Sequence, residues 1–331
     1  MVKKVKLLEN LKSNSLQKIL ALGALIVLYV FFSFFGHNFL SIATLINILA
    51  ASYYIGFLAI GETFVIITGG IDLSIGTVMM CSALIGGVAY NVWHWPIAAA
   101  LGLVIVIATL FGLLNGIIVA KLKLPPFIAT LGTMMISMGF GAIISKVMTM
   151  RFPTITDPDG WFKFIFYKTQ DGFPIGAVWL AGFVVIASVI LGKTLLGRYT
   201  FAIGSNEEAA RLSGVGVDDC KIAVYALAGF FAGLGAIVYI SAYTSIVPGT
   251  GTGIELLAIA GVIIGGTSLA GGIGTVSGTL IGVYIMSILR QGLMSMNLQS
   301  QWQTFLTGIV VIGAVMLDNY RIKKASEIKK G

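Results

Sequence analysis

Apolar residues along the chain come in long blocks, separated by short runs of glycine, proline and charge. Ten blocks stand out: Leu16–Phe35, Leu45–Thr68, Ile75–Tyr90, Ile97–Ala120, Ile128–Ile144, Ile175–Leu191, Ile222–Ile240, Leu256–Leu269, Val276–Leu293 and Trp302–Leu317. Runs of this length predict membrane-spanning helices, not the short alternating strands of a β-barrel. The chain thus reads as a single all-α polytopic membrane domain, residues 1–331, with about ten spans. Two blocks, Leu256–Leu269 and Trp302–Leu317, fall short of the ~20 residues of a straight crossing and read as short or broken helices.

Composition narrows the class. Of 331 residues, 57% are hydrophobic and 10% charged; a soluble chain carries roughly a quarter charged residues. Lys3, Lys4 and Lys6 precede the first block, but it is long enough to span and no small-x-small cleavage site follows, so it is expected to remain as a span. Cys81 in an apolar block and Cys220 in a charged loop give no disulfide pattern. The net charge of +8 comes from lysines and arginines flanking the blocks, with no basic face for nucleic acid.

Charge placement sets an orientation. With the N-terminus inside, 16 of the 21 basic residues lie on the cytoplasmic side: Lys3, Lys4, Lys6, Lys12, Lys18, Lys121, Lys123, Lys193, Arg198, Arg211, Lys221, Arg321, Lys323, Lys324, Lys329 and Lys330. Lys146, Arg151, Lys163 and Lys168 lie outside, and Arg290 near the end of the ninth span. This bias predicts both termini in the cytoplasm and an even number of spans. Two loops exceed a turn: an extracytoplasmic one at 145–174 and a cytoplasmic one at 192–221.

The cytoplasmic loop contains "AIGSNEEAARLSG" (202–214). Ser205 and Glu208 have capping-box spacing, and Gly214 can close the far end, which predicts a short polar helix. "LGKTLLGR" (191–198) imitates a phosphate-binding loop, but Ala187 stands where its first glycine belongs. The chain offers no His/Cys metal cluster, no paired acidic motif at the end of a span and no Ser–His arrangement, which argues against a membrane enzyme. Ionisable residues in the apolar zone are the better clue. Glu62 lies in "AIGETFVIITGG", Asp72 in "GGIDLSIGT" and Asn115 in the fourth block. They can line a polar path, or hydrogen-bond backbone groups freed at a helix break marked by Gly69, Gly70 and Gly76. Glycine spacing in "GVIIGGTSLAGGIGTVSGTLIG" (261–282) predicts close helix packing. "GGIDLSIGTV" (69–78) and "GGTSLAGGIGTV" (265–276) echo one another, both on the cytoplasmic side.

Five segments then carry a resemblance: "GETFVIITGGIDLSIGT" (61–77), "GLLNGIIVAKLKLPPFIATLGT" (112–133), "GRYTFAIGSNEEAARLSGVGV" (197–217), "GTGIELLAIAGVIIGGTSLAGGIGTVSGTLIG" (251–282) and "WQTFLTGIVVIGAVMLD" (302–318). The chain resembles the permease subunit of the ribose/galactose/xylose-type ABC sugar importers. The resemblance implies a bacterial cytoplasmic (inner) membrane permease working as two copies. Its implied partners are a cytoplasmic ATP-binding subunit, which holds ATP and Mg, an extracytoplasmic sugar-binding protein and the sugar, with membrane lipid around it. This chain holds no cofactor and no nucleotide site of its own. The resemblance also implies that Ser205, Asn206, Glu207, Glu208, Ala209, Ala210, Arg211 and Leu212 dock on the ATPase. On the residues alone, Glu207, Glu208 and Arg211 would fix register in a groove, while Ala209, Ala210 and Leu212 fill it. Glu62, Asp72, Asn115, Phe127 and Thr130 are candidates for the translocation path or gate.

"EAARLSG" (208–214) also fits the E-A-A-x-x-x-G core of another importer group. The Ile-x-Leu-Pro continuation expected there is absent: Val224, Tyr225, Ala226 and Leu227 stand in its place. The alternatives are a stand-alone ion-coupled carrier using Glu62 and Asp72, or a permease of the same architecture for amino acids or nucleosides.

Overall fold

The computed structural model describes residues 2–328. Lys329 and Lys330 lie outside the described residues, as do the side chains of residues 1–18 and 321–328 that entered the charge argument.

All ten apolar blocks fall on helices. In chain order these are α1 (Val2–Phe35), α2 (Ile42–Ile67), α3 (Ile75–Asn91), α4 (Ile97–Ala120), α5 (Pro126–Ile144), then α6 (Trp161–Phe166) and α7 (Ile175–Lys193). There follow α8 (Leu195–Ser205), α9 (Glu207–Leu212), α10 (Val217–Ala242), α11 (Ile254–Ile264), α12 (Val276–Ser295) and α13 (Ser300–Ile328). Among the described residues, seven helices are long and apolar enough to cross a membrane: α2, α4, α5, α7, α10, α12 and α13. Ile19–Phe35 of α1, α3 and α11 are shorter apolar helices. The short block Trp302–Leu317 thus belongs to a full-length helix, whereas Leu256–Leu269 covers an 11-residue helix and the turn after it.

Two ends of the bundle differ. One carries the 145–174 segment. There β1 (Met150–Arg151) pairs antiparallel with β2 (Ser245–Ile246), Met150 opposite Ile246. α6 is pinned by Lys163, whose Nζ donates to the carbonyls of Ile240 (3.1 Å) and Ser241 (3.2 Å) at the end of α10. A cation suits a helix C-terminus, yet burial pulls this ammonium down to about 8. The opposite end carries α8 and α9, because α7 crosses between them.

α2, α10 and α12 form the buried centre. α10 lies against α4 and α2, and glycines make the close approach possible. A Cβ on Gly233 would sit 2.7 Å from the Ile105 backbone, and one on Gly112 would strike the Tyr225 carbonyl and Gly229. α4, α5, α7 and α13 keep large apolar side chains exposed, among them Val106, Ile136, Val185 and Ile312. Outward-facing side chains of this kind suit a hydrocarbon surround. Both cysteines are buried and free, and Cys220 belongs to the first turn of α10, not to a loop.

Candidate functional site

Between α2 and α3 the chain breaks for seven residues. Such a break frees backbone groups that must find partners inside the protein. Glu62, one turn and a half before the end of α2, sends Oε1 to accept the Asp72 N–H at 3.0 Å. Asp72 Oδ1 accepts from the Ser74 N–H (2.9 Å) and the Ser74 hydroxyl (2.6 Å). Asn115, from α4, donates through Nδ2 to Ser74 Oγ (2.8 Å) and to both Asp72 carboxylate oxygens (3.2 and 3.3 Å). The Ile71 carbonyl accepts from Tyr225 of α10 at 3.3 Å and from Thr130 of α5 at 3.4 Å. Glu62, Asn115 and Thr130 are wholly buried, and Asp72 nearly so.

The structure therefore gathers four of the five proposed path residues into one sealed cluster. Phe127 is not among them: the residue is 52% exposed on the first turn of α5. Two acceptor atoms in the cluster, Glu62 Oε2 and Asn115 Oδ1, have no hydrogen-bond partner among the described residues. A third carboxylate, Glu255 at the start of α11, lies close enough to interact with Glu62 and Asp72. One of its oxygens accepts from the Gly253 N–H at 2.8 Å.

The echo at 265–276 is a second break, between α11 and α12. Here Asp318 of α13 reaches in, its Oδ2 accepting from the Ser268 hydroxyl (3.2 Å) and the Leu269 N–H (3.1 Å). Sequence reasoning passed over Asp318; its signal was one acid closing an apolar run.

Both breaks meet the α8–α9 end of the molecule. The Gly272 N–H donates to the Ile67 carbonyl at 2.9 Å. Gly204, on the last turn of α8, fits against that carbonyl and Gly272 so tightly that any Cβ there would collide. α8, the end of α2 and the second break are therefore packed neighbours.

α9 corrects the sequence reading in two respects. The N-cap is Asn206, not Ser205: Asn206 is extended (φ −166°, ψ 105°) and its side chain accepts from the Ala209 N–H. Ser205 ends α8, its hydroxyl donating to the Phe201 carbonyl. Gly214, at φ 83°, follows the C-terminus of α9. Second, Ala210 is buried against the bundle, not turned outward. Glu207 and Arg211 are already engaged: Glu207 with Lys221 at 2.6 Å, Arg211 with Asp218 at 3.1 Å and with Glu207 at 3.5 Å. Asp218 also pairs with Lys123 at 2.7 Å, tying α9 to the α4–α5 turn. The hydrogen bond from Lys221 holds the Glu207 carboxyl below its usual range, and the Asp218 contact raises Arg211. Leu212, 85% exposed, stands outward with Glu208 and Ala209.

A helical bundle with seven membrane-length helices among the described residues, two broken helices and a polar platform at one end has the architecture of a multi-pass membrane protein. Comparison with known proteins specifies it. The family model described as "Branched-chain amino acid transport system / permease component" matches residues 44–315. The ribose import permease protein of Escherichia coli K12 is 39% identical over 90% of this chain and 92% of its own length. The fructose import permease protein of Rhizobium meliloti is 34% identical over 88% of this chain and 82% of its own. The xylose transport system permease protein of Escherichia coli K12 is 31% identical over 94% and 93%. No solved structure matches the chain. The chain belongs to this family of import-system permeases: it is a transport subunit of the cytoplasmic (inner) membrane, not an enzyme.

Proposed function

We propose that the chain is the membrane-spanning subunit of an ATP-driven, binding-protein-dependent monosaccharide importer. Support for the cargo class comes from relatives named for ribose, fructose and xylose. In this reading ten helices cross the membrane with both termini in the cytoplasm, and two copies assemble. A separate ATPase docks on α9, and an extracytoplasmic binding protein delivers sugar at the 145–174 end.

One observation carries the coupling. The platform that presents Leu212 outward is continuous, through α8, with Gly204 wedged on the Ile67 carbonyl where the two breaks meet. A push on α9 would reach the broken helices through packed backbone, without slack from flexible side chains. The outward face then consists of Glu208, Ala209 and Leu212. Glu207 and Arg211 hold the helix to its own bundle through Lys221 and Asp218.

Co-purification with the ATPase tests this. Leu212→Asp combined with Glu208→Lys is expected to abolish assembly or sugar-linked ATP turnover. Assembly and turnover equal to wild type would remove α9 from the docking role. The ion-coupled alternative is less well supported. Glu62 and Asp72 are buried, and Glu62 Oε1 and Asp72 Oδ1 are occupied in holding the first break. Uptake in vesicles is therefore expected to follow ATP and not an ion gradient.

A further inference from the structure

One intramembrane charge takes no part in the breaks or in the α9 network. Arg290 lies in α12, five residues before its end at Ser295. An arginine in a spanning helix is costly unless something satisfies it. None of the ion pairs among the described residues includes it. Its Nη1 donates to the Tyr54 hydroxyl at 2.9 Å, which leaves most of a five-donor guanidinium for other acceptors.

What surrounds it is a cavity of about 340 Å³, edged by Arg290 with Asn47, Tyr54, Tyr167, Tyr243 and Gln291. That volume lies at the lower end of the ~300–1,000 Å³ of small-molecule sites. Tyr54 stacks edge-on with Tyr239 and Tyr243, ring centres 5.2 and 6.4 Å away. The fork donates to hydroxyl oxygens, the amides of Asn47 and Gln291 both donate and accept, and tyrosine faces cover C–H surface. This is the donor and surface set of a neutral polyhydroxylated ligand. An anion is the poorer fit, because no second basic side chain lines the cavity.

The cavity sits at the end of the bundle that carries the 145–174 segment, between α2, α10 and α12. Arg290 also borders a second cavity, of about 550 Å³, with Thr252, Gln303 and Thr307. The guanidinium therefore stands between two cavities, the second lined mostly by apolar side chains of α11 and α13.

We propose that Arg290, with Asn47, Tyr54 and Tyr243, forms a binding site for a neutral monosaccharide within one protomer. The proposal rests on the monosaccharide-permease reading and locates its cargo. The site faces the end where sugar would arrive.

Saturation-transfer NMR on the detergent-solubilised full chain tests it, with D-ribose, D-fructose and D-xylose as probes. Uptake of the same sugars is measured in proteoliposomes holding the complete transporter. Wild type is expected to give a transfer signal with the sugar it transports. Arg290→Met should weaken binding at least ~10-fold, the scale of one lost charge-assisted hydrogen bond, and Tyr54→Phe less. Lys146→Met, which removes an exposed charge that lines neither cavity, should leave the signal intact. Asn47→Leu is the second variant, since it alters the cavity wall without disturbing the Arg290–Tyr54 bond; it too should weaken binding.

An undiminished signal in folded Arg290→Met and Asn47→Leu, with uptake at wild-type rate, overturns the site and leaves the permease reading standing. A signal displaced by glycerol phosphate but not by sugar makes Arg290 a lipid anchor and also overturns it. If wild type neither binds nor transports any sugar, the monosaccharide reading falls first.

Discussion

The two broken helices share an echo of sequence and differ in how they are held. At the first break the retaining acid is part of the break. Asp72 gathers Ser74 and Asn115, and Glu62 reaches back from α2, so the whole device is buried among α2, α4, α5 and α10. At the second break the loop supplies Thr267, Ser268 and Thr275, which caps α12, and the acid comes from Asp318 on α13. α13 is a peripheral helix with an exposed apolar face, and Ile273 in the break is itself half exposed. A polar network closed on itself inside the bundle is costly to disturb. One that depends on a single acid from an outer helix yields more easily. The difference predicts that loss of its acid destabilises the first break more than the second.

Removing each acid tests that contrast most strongly. Asp72→Ala leaves three buried donor groups without their acceptor and is expected to cost roughly 3 kcal/mol. Asp318→Ala should cost about 1–2 kcal/mol, because a half-open loop can recruit water. Thermal unfolding of the purified chain in one detergent measures both; equal losses would erase the distinction. A smaller effect is expected from Glu62→Gln. The amide keeps an oxygen for the Asp72 N–H, so the change should stay under ~1 kcal/mol, and uptake should persist. Loss of folding in this variant would show that the charge of Glu62, and not its acceptor oxygen, holds the first break. The smallest is Thr267→Val. The Thr267 hydroxyl is buried without a partner among the described residues, so an isostere should be neutral within ~0.5 kcal/mol or slightly stabilising. A clear loss there would mean that the second break is as tightly wired as the first.

Some of this was legible in the linear sequence. The ten apolar blocks each landed on a helix, since periodic burial and lipid exposure act on local composition. The break after Gly69 and Gly70 was legible for the same reason, as was a short polar helix near residue 207. The cap was misplaced by one residue. Ser205 has the capping-box spacing, but α8 extends through it and the extended backbone belongs to Asn206. Only packing decides where one helix stops and the next begins. Asp72 and Asn115 were both noticed, yet 43 residues separate them and no local pattern joins them. Arg290 was counted only as a charge near a helix end; its cavity draws on α2, α10 and α12 together.

Sequence alone thus determined the membrane class and the helical blocks, because hydrocarbon solvent forces each segment to satisfy its backbone within itself; the permease family was legible only through the resemblance of five segments. The tertiary structure decided the partners: which acid holds which break, which face of α9 is free, and which arginine meets a cavity. Those outcomes depend on side chains brought together from distant helices, and on burial that makes each unpaired polar group expensive. Neither quantity exists until the helices have packed.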